Sequence, residues 1–68
     1  MKLTLELEQD ANGRWVAEVP ELPGVSAYGN SPEAATSSAK ALAFRILADQ
    51  IEAGEISAAM VQNVSFGE

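Results

Sequence analysis

Glu6, Glu8 and Glu18 are the side chains whose type and spacing come nearest to forming a chemical site. Glu6 and Glu8 are two residues apart, and residues i and i+2 of a strand share one face. Glu18 joins them if the chain folds back on itself. Carboxylates gathered on one surface can hold divalent cations for phosphodiester hydrolysis, or they can present negative charge to a basic partner. The first use needs several acids converging on paired magnesium ions, and the only nearby aspartate, Asp10, falls at a loop. Histidine and cysteine are both absent, which removes the usual general base, the common metal ligands and the thiol nucleophile. Ser31, Ser37, Ser38 and Ser57 have no histidine to activate them, and capping or helix surface accounts for them. The expectation is a protein that is not an enzyme, with no catalytic residue, cofactor or metal. Glu6, Glu8 and Glu18 remain as the candidate partner-binding residues, against the plain alternative of an ordinary solvated face.

Charge points the same way. Ten acidic residues against four basic ones give a formal net charge of -6. That balance repels phosphate backbones and offers no basic stripe, so direct nucleic-acid binding is not expected. Trp15 and Tyr28 could stack on RNA bases, but such platforms come with basic residues and only Arg14 is near; both are expected as structural aromatics at the edge of the core.

The elements that must position the glutamates can be read from periodicity. From Lys2 to Gln9, Leu3, Leu5 and Leu7 alternate with Lys2, Thr4, Glu6 and Glu8, the pattern of a half-buried strand. Asp10-Ala11-Asn12-Gly13 is a turn signal, and Trp15 to Val19 is a second apolar run. A two-residue Asn12-Gly13 turn would set Leu7 opposite Glu18. A three-residue loop of Ala11, Asn12 and Gly13 instead sets Leu7 opposite Ala17, Leu5 opposite Val19 and Asp10 opposite Arg14. The second register makes one face apolar throughout, at the cost of placing Glu6 against Glu18. It also puts all three glutamates on the face away from the leucines.

Pro20-Glu21-Leu22-Pro23-Gly24 cannot continue a central strand and predicts a connection of fixed shape. Val25 to Tyr28 suits a brief third strand. Ser31 is then an N-cap, Pro32 fits the first helical position and Glu33 puts negative charge in the first turn. The helix should run from Pro32 to about Ala53 and stop at Gly54. Ala35, Ala39, Leu42 and Ile46 make one apolar line, with Phe44, Leu47 and Ile51 in a second beside it that belongs to the core or meets another subunit. A last strand is expected within Ser57 to Phe66. Lys40, Arg45 and Asp49 in the helix argue against a membrane span, and Met1-Lys2 leads into alternating residues unlike a signal peptide, so a cytoplasmic protein is expected.

The order strand, strand, strand, helix, strand predicts a single α+β domain over residues 1–68. A meander followed by one right-handed crossover gives a four-stranded mixed sheet in the order 3-2-1-4, with the helix on one face. At 68 residues only about 60% of the unfolded chain's surface can be hidden, and no cysteine is present to staple the fold. With one sheet face and both edges uncovered, a homodimer or higher oligomer is expected.

The stretch Gly13-Arg14-Trp15-Val16-Ala17-Glu18-Val19-Pro20-Glu21-Leu22-Pro23-Gly24-Val25, then Tyr28-Gly29 and Ser31-Pro32-Glu33-Ala34-Ala35, resembles the HicB antitoxin family over roughly residues 1 to 56. The resemblance implies a partial, degenerate ribonuclease H-like fold. It also implies a partner, a HicA-like toxin, which is a small basic ribonuclease that the antitoxin binds and neutralises. Many members of the family add a C-terminal helix-turn-helix or ribbon-helix-helix segment that binds operator DNA. The 68 residues leave no room for one, so a short form without its own DNA binding is expected. Two other readings stand beside this one. One is a degenerate divalent-metal-dependent nuclease using Glu6, Glu8 and Glu18; the other is an orphan structural module that associates only with itself.

Overall fold

The computed structural model describes residues 1–67. Its elements are strands β1 (Lys2–Thr4), β2 (Glu6–Gln9), β3 (Trp15–Glu18) and β4 (Ser26–Gly29), helix α1 (Pro32–Glu52), a 3-10 turn at Ala58–Val61 and strand β5 (Ser65–Gly67). The chain is α+β, with one helix and five strands in two sheets. β2, β3 and β4 form an antiparallel meander, and β1 pairs in parallel with β5.

The expected four-stranded sheet in the order 3-2-1-4 is found divided, because the first apolar run changes partner at Leu5. Before that residue Lys2, Leu3 and Thr4 stand opposite Ser65, Phe66 and Gly67; after it, Glu6 to Gln9 stand opposite Glu18 to Trp15. The Leu5 amide donates to the Gly67 carbonyl at 2.7 Å, and its side chain is buried. One residue thus serves as the hinge between two ladders. The last strand is also shorter than the span from Ser57 to Phe66: the 3-10 turn occupies the start of that span, and only Ser65–Gly67 pairs.

The hairpin has the three-residue loop. Leu7 faces Ala17 and Glu6 faces Glu18, the Gly13 amide donates to the Asp10 carbonyl at 3.0 Å, and Gly13 takes φ +85. A type I turn followed by a left-handed residue is the geometry that twists two strands together over three loop residues, and glycine occupies the left-handed position without steric cost. Asp10 ties this loop further. Its Oδ1 accepts the amides of Asn12 and Arg14, both at 2.9 Å, and Oδ2 lies 3.3 Å from the Arg14 guanidinium.

Helix α1 begins where the caps predict. Ser31 is extended at φ -144, and its hydroxyl accepts the Ala34 amide at 3.1 Å, with Pro32 opening the first turn. At the other end the Gly54 amide donates to the Ile51 carbonyl and the Glu55 amide to that of Gln50, closing the last turn.

The buried line of the helix is Ala35, Ala39, Ala43 and Leu47, packed chiefly on β3 and β4. This corrects the expected stripe: Leu42 and Ile46 flank the core half-buried, and Phe44 is 50% exposed. The first turn of the helix lies especially close to the sheet at Gly29. A Cβ built there would lie 2.5 Å from the Ala35 nitrogen, so helix backbone and strand nearly touch at this point. Small side chains suit the line beside this contact, and the larger Leu47 joins it only at the far end of the helix.

The remaining core is Leu3, Leu5, Ala17, Val19, Leu22 and Val25. With the four helix residues this makes a thin apolar layer. The Cα radius of gyration is 12.6 Å and the long dimension 39 Å, against about 11 Å expected for a compact chain of this length. Among the described residues no helix is long and apolar enough to cross a membrane.

Candidate functional site

The same alternation that buries Leu5 and half-buries Leu7 turns Glu6 and Glu8 outward, and the hairpin register adds Glu18 directly opposite Glu6. All three side chains are exposed, on the sheet face away from α1. Continuing across the sheet, Glu18 stands opposite Ser26 of β4, and the row next to it runs Glu8, Val16, Tyr28. The open face therefore carries one polar row, Glu6, Glu18 and Ser26, and one mixed row that ends in an aromatic ring. The sequence brought these three glutamates together, and the structure places them on one surface.

Tyr28 lies elsewhere than expected. It is 55% exposed on the open face, where the Arg14 guanidinium sits 4.6 Å from its ring centroid. Trp15 points the opposite way, half-buried against the core beneath the helix. Register explains the division: Trp15 belongs to the row of Gln9 and Gly29, on the helix side, whereas Tyr28 pairs with outward-facing Val16. Arg14 and Tyr28 are thus neighbours of the acidic patch that a search for stacking platforms alone would misplace. The signal that finds them is the one-residue parity between Trp15 and Val16.

A second carboxylate cluster of contacts was not legible beforehand. Both oxygens of Glu21 accept the Thr4 amide, at 3.0 and 3.1 Å, and Oε2 accepts the Thr4 hydroxyl at 2.6 Å. This clamp ties the Pro20–Gly24 connection to β1. The hydroxyl bond, followed by the amide bonds, holds the Glu21 carboxyl below its ordinary value. For Asp10 the cost of leaving bulk water is the largest single influence and acts upward. The amides of Arg14 and Asn12 and the Arg14 charge outweigh it and leave the carboxyl lowered. Both of these acids are engaged in structure. Glu6, Glu8 and Glu18 have no hydrogen bond or salt bridge from another side chain among the described residues.

No group of three carboxylates converges closely enough to hold a metal ion among the described residues. The site is a shallow acidic surface on a sheet whose other side packs against α1 along β3 and β4. No family model, curated protein or solved structure matches the chain.

Proposed function

We propose that this chain is a HicB-like antitoxin domain, a cytoplasmic protein-binding module that neutralises a small basic ribonuclease of the HicA type. One observation carries the reading: an uncovered sheet face bearing Glu6, Glu8 and Glu18, with Glu6 and Glu18 forced together across the strand pair. Like charges placed opposite one another weaken a sheet slightly, and a basic partner would relieve that repulsion while being steered toward the face. Further support comes from the order of elements, four short strands, a capped helix and a final strand, which suits the partial ribonuclease H-like fold that the resemblance implies if β1 and β2 count as one bent strand. In that reading the two sheets act as one curved layer bent at Leu5.

The test pairs this chain with a small basic ribonuclease of the HicA type, taken from an adjacent reading frame where one is encoded. Replacing Glu6, Glu8 and Glu18 together with glutamine should leave the fold intact and slow association with that protein. The loss should shrink as salt screens the native pair, since charges at a rim act mainly on encounter rates. Unchanged association kinetics at low salt would refute the docking role and return the three glutamates to solubilising charges.

Self-association is a second reading with its own observation. The thin core, the free outer edge of β4 and the exposed Tyr28, Phe44 and Met60 leave a large surface uncovered. Phe44 packs edge-on against Phe66 at 5.7 Å between centroids, with the Lys40 ammonium 5.2 Å from the Phe66 ring, so this second apolar area is already partly assembled. Equilibrium sedimentation at micromolar concentration should show a species of at least twice 7.2 kDa. A lone 7.2 kDa species would defeat it.

A further inference from the structure

Where the open face meets the Pro20–Gly24 connection, the surface sinks into an open depression of about 250 Å³. Glu6 and Glu18 line it together with Pro20, Leu22, Pro23 and Ser26. The geometry points to a receptor for one arginine side chain, supplied by a basic protein. This deepens the docking role proposed above and rests on it for the identity of the partner, though not for the chemistry of the pocket.

Size excludes most other occupants. Sites for drug-sized ligands span about 300–1,000 Å³, so this space suits a single side chain. Two carboxylates exclude an anion or a phosphate. The lining combines an apolar wall with paired charge, which matches a side chain having a hydrocarbon stem and a cationic head. Arginine fits better than lysine. Its planar head offers five donors and can bridge two carboxylates that face each other across a strand pair, and it is more weakly hydrated than an ammonium, so it gives up water more readily beside prolines.

The pocket is also formed in advance. The Val19 amide donates to the Val25 carbonyl at 3.2 Å, that of Leu22 to Val19 at 3.0 Å and that of Val25 to Leu22 at 3.2 Å, while the Glu21 clamp on Thr4 holds the outer side of the same connection. Two prolines restrict the rest. Little ordering remains to be done when the side chain enters, which favours binding. Glu21 is occupied by Thr4, leaving Glu6 and Glu18 as the carboxylates that meet the guest.

The experiment titrates the full isotope-labelled chain with N-acetyl-arginine amide, using the citrulline analogue as an isosteric neutral control, and follows backbone amide resonances. Arginine should give saturable shifts confined to Glu6, Glu18, Leu22, Gly24, Val25 and Ser26, and citrulline none. Ser26→Arg adds a guanidinium beside Glu18 and fills the pocket from within; Ser38→Arg adds the same charge on the exposed side of the helix. Ser26→Arg should weaken arginine binding by at least about tenfold, and Ser38→Arg should leave it nearly unchanged. Equal shifts with citrulline, shifts spread equally over Glu33, Glu52 and Glu55, or equal effects of the two variants would overturn the pocket. The basic protein separates the two proposals. If it binds the Ser26→Arg chain as tightly as the natural one, the pocket fails and the docking face survives. If arginine saturates the pocket and the basic protein never binds, the docking role fails and the pocket survives.

Discussion

The two faces of the antiparallel meander are built from the same strands and obey opposite rules. On the helix side, Ala17, Ala35 and Ala39 are fully buried and Gly29 lies against the helix backbone at Ala34 and Ala35, so that face has little room to vary. On the other side, Glu6, Glu8, Glu18, Ser26 and Tyr28 project into solvent, and little constrains them except one another. A face fixed by packing carries stability. A face released from packing is where recognition can be placed at small cost to folding, and substitutions on the two sides should separate cleanly.

The largest effect is expected on the closed side. Ala39 is fully buried between α1 and the sheet, so Ala39→Leu has to force the layers apart. Overpacking of this kind costs about 1–3 kcal/mol, occasionally more. A 68-residue domain has only about 3–10 kcal/mol in hand. The midpoint of urea unfolding should fall accordingly. Gly29→Ala should do the same, because its new Cβ would meet the helix backbone itself and not a flexible side chain. A midpoint within error of the natural chain for both variants would mean that the closed face is looser than the alanine line implies.

The sequence made one of these faces far more readable than the other. The hairpin register followed from residues less than a dozen positions apart, since only one pairing joined Leu7 to Ala17 and Asp10 to Arg14 while keeping charge off the buried face. The start of the helix was equally local, being written in Ser31, Pro32 and Glu33. The rotation of the helix was not. Alanines lie on several sides of it, so hydrophobicity alone could not choose between a line ending in Leu42 and Ile46 and one ending in Ala43 and Leu47. Both lines share Ala35 and Ala39, and the choice is made further along, where the second half of the helix buries Ala43 and Leu47 against the finished sheet. The break at Leu5 and the Thr4–Glu21 clamp were illegible for a related reason: each depends on a partner brought near only by the finished fold. The candidate glutamates were found because their placement needed strand alternation and one turn, and nothing more distant.

A smaller effect is expected from acid, and it should act through the two carboxylates engaged in structure. Asp10 and Glu21 both titrate below their ordinary values, so the folded state binds their protons less readily than the unfolded chain does. The stability they contribute is fully present above the ordinary values of 3.8 and 4.5, and it is lost as pH falls through the lowered ones. Thermal midpoints measured from pH 6 downward should therefore decline, and the decline should become shallower in Asp10→Asn and Glu21→Gln. An unaltered slope in the double variant would show that neither contact survives in solution.

The smallest effect belongs to the open face, and its sign distinguishes a recognition surface from an indifferent one. Glu6 and Glu18 stand directly opposite each other with no cation from the chain bonded to either among the described residues. Removing one of the two charges by Glu6→Gln should stabilise the isolated chain by a few tenths of a kcal/mol, as expected for relieving a like-charge cross-strand pair. The gain should vanish in high salt, where the repulsion is already screened, and it should be absent when Glu18 has first been changed to glutamine. This double-mutant cycle is measured by urea unfolding without any partner present. A cycle that returns no coupling at low salt would mean that the two side chains splay apart. It would also remove the repulsion that makes a basic partner welcome on this face, leaving the open side polar without being poised.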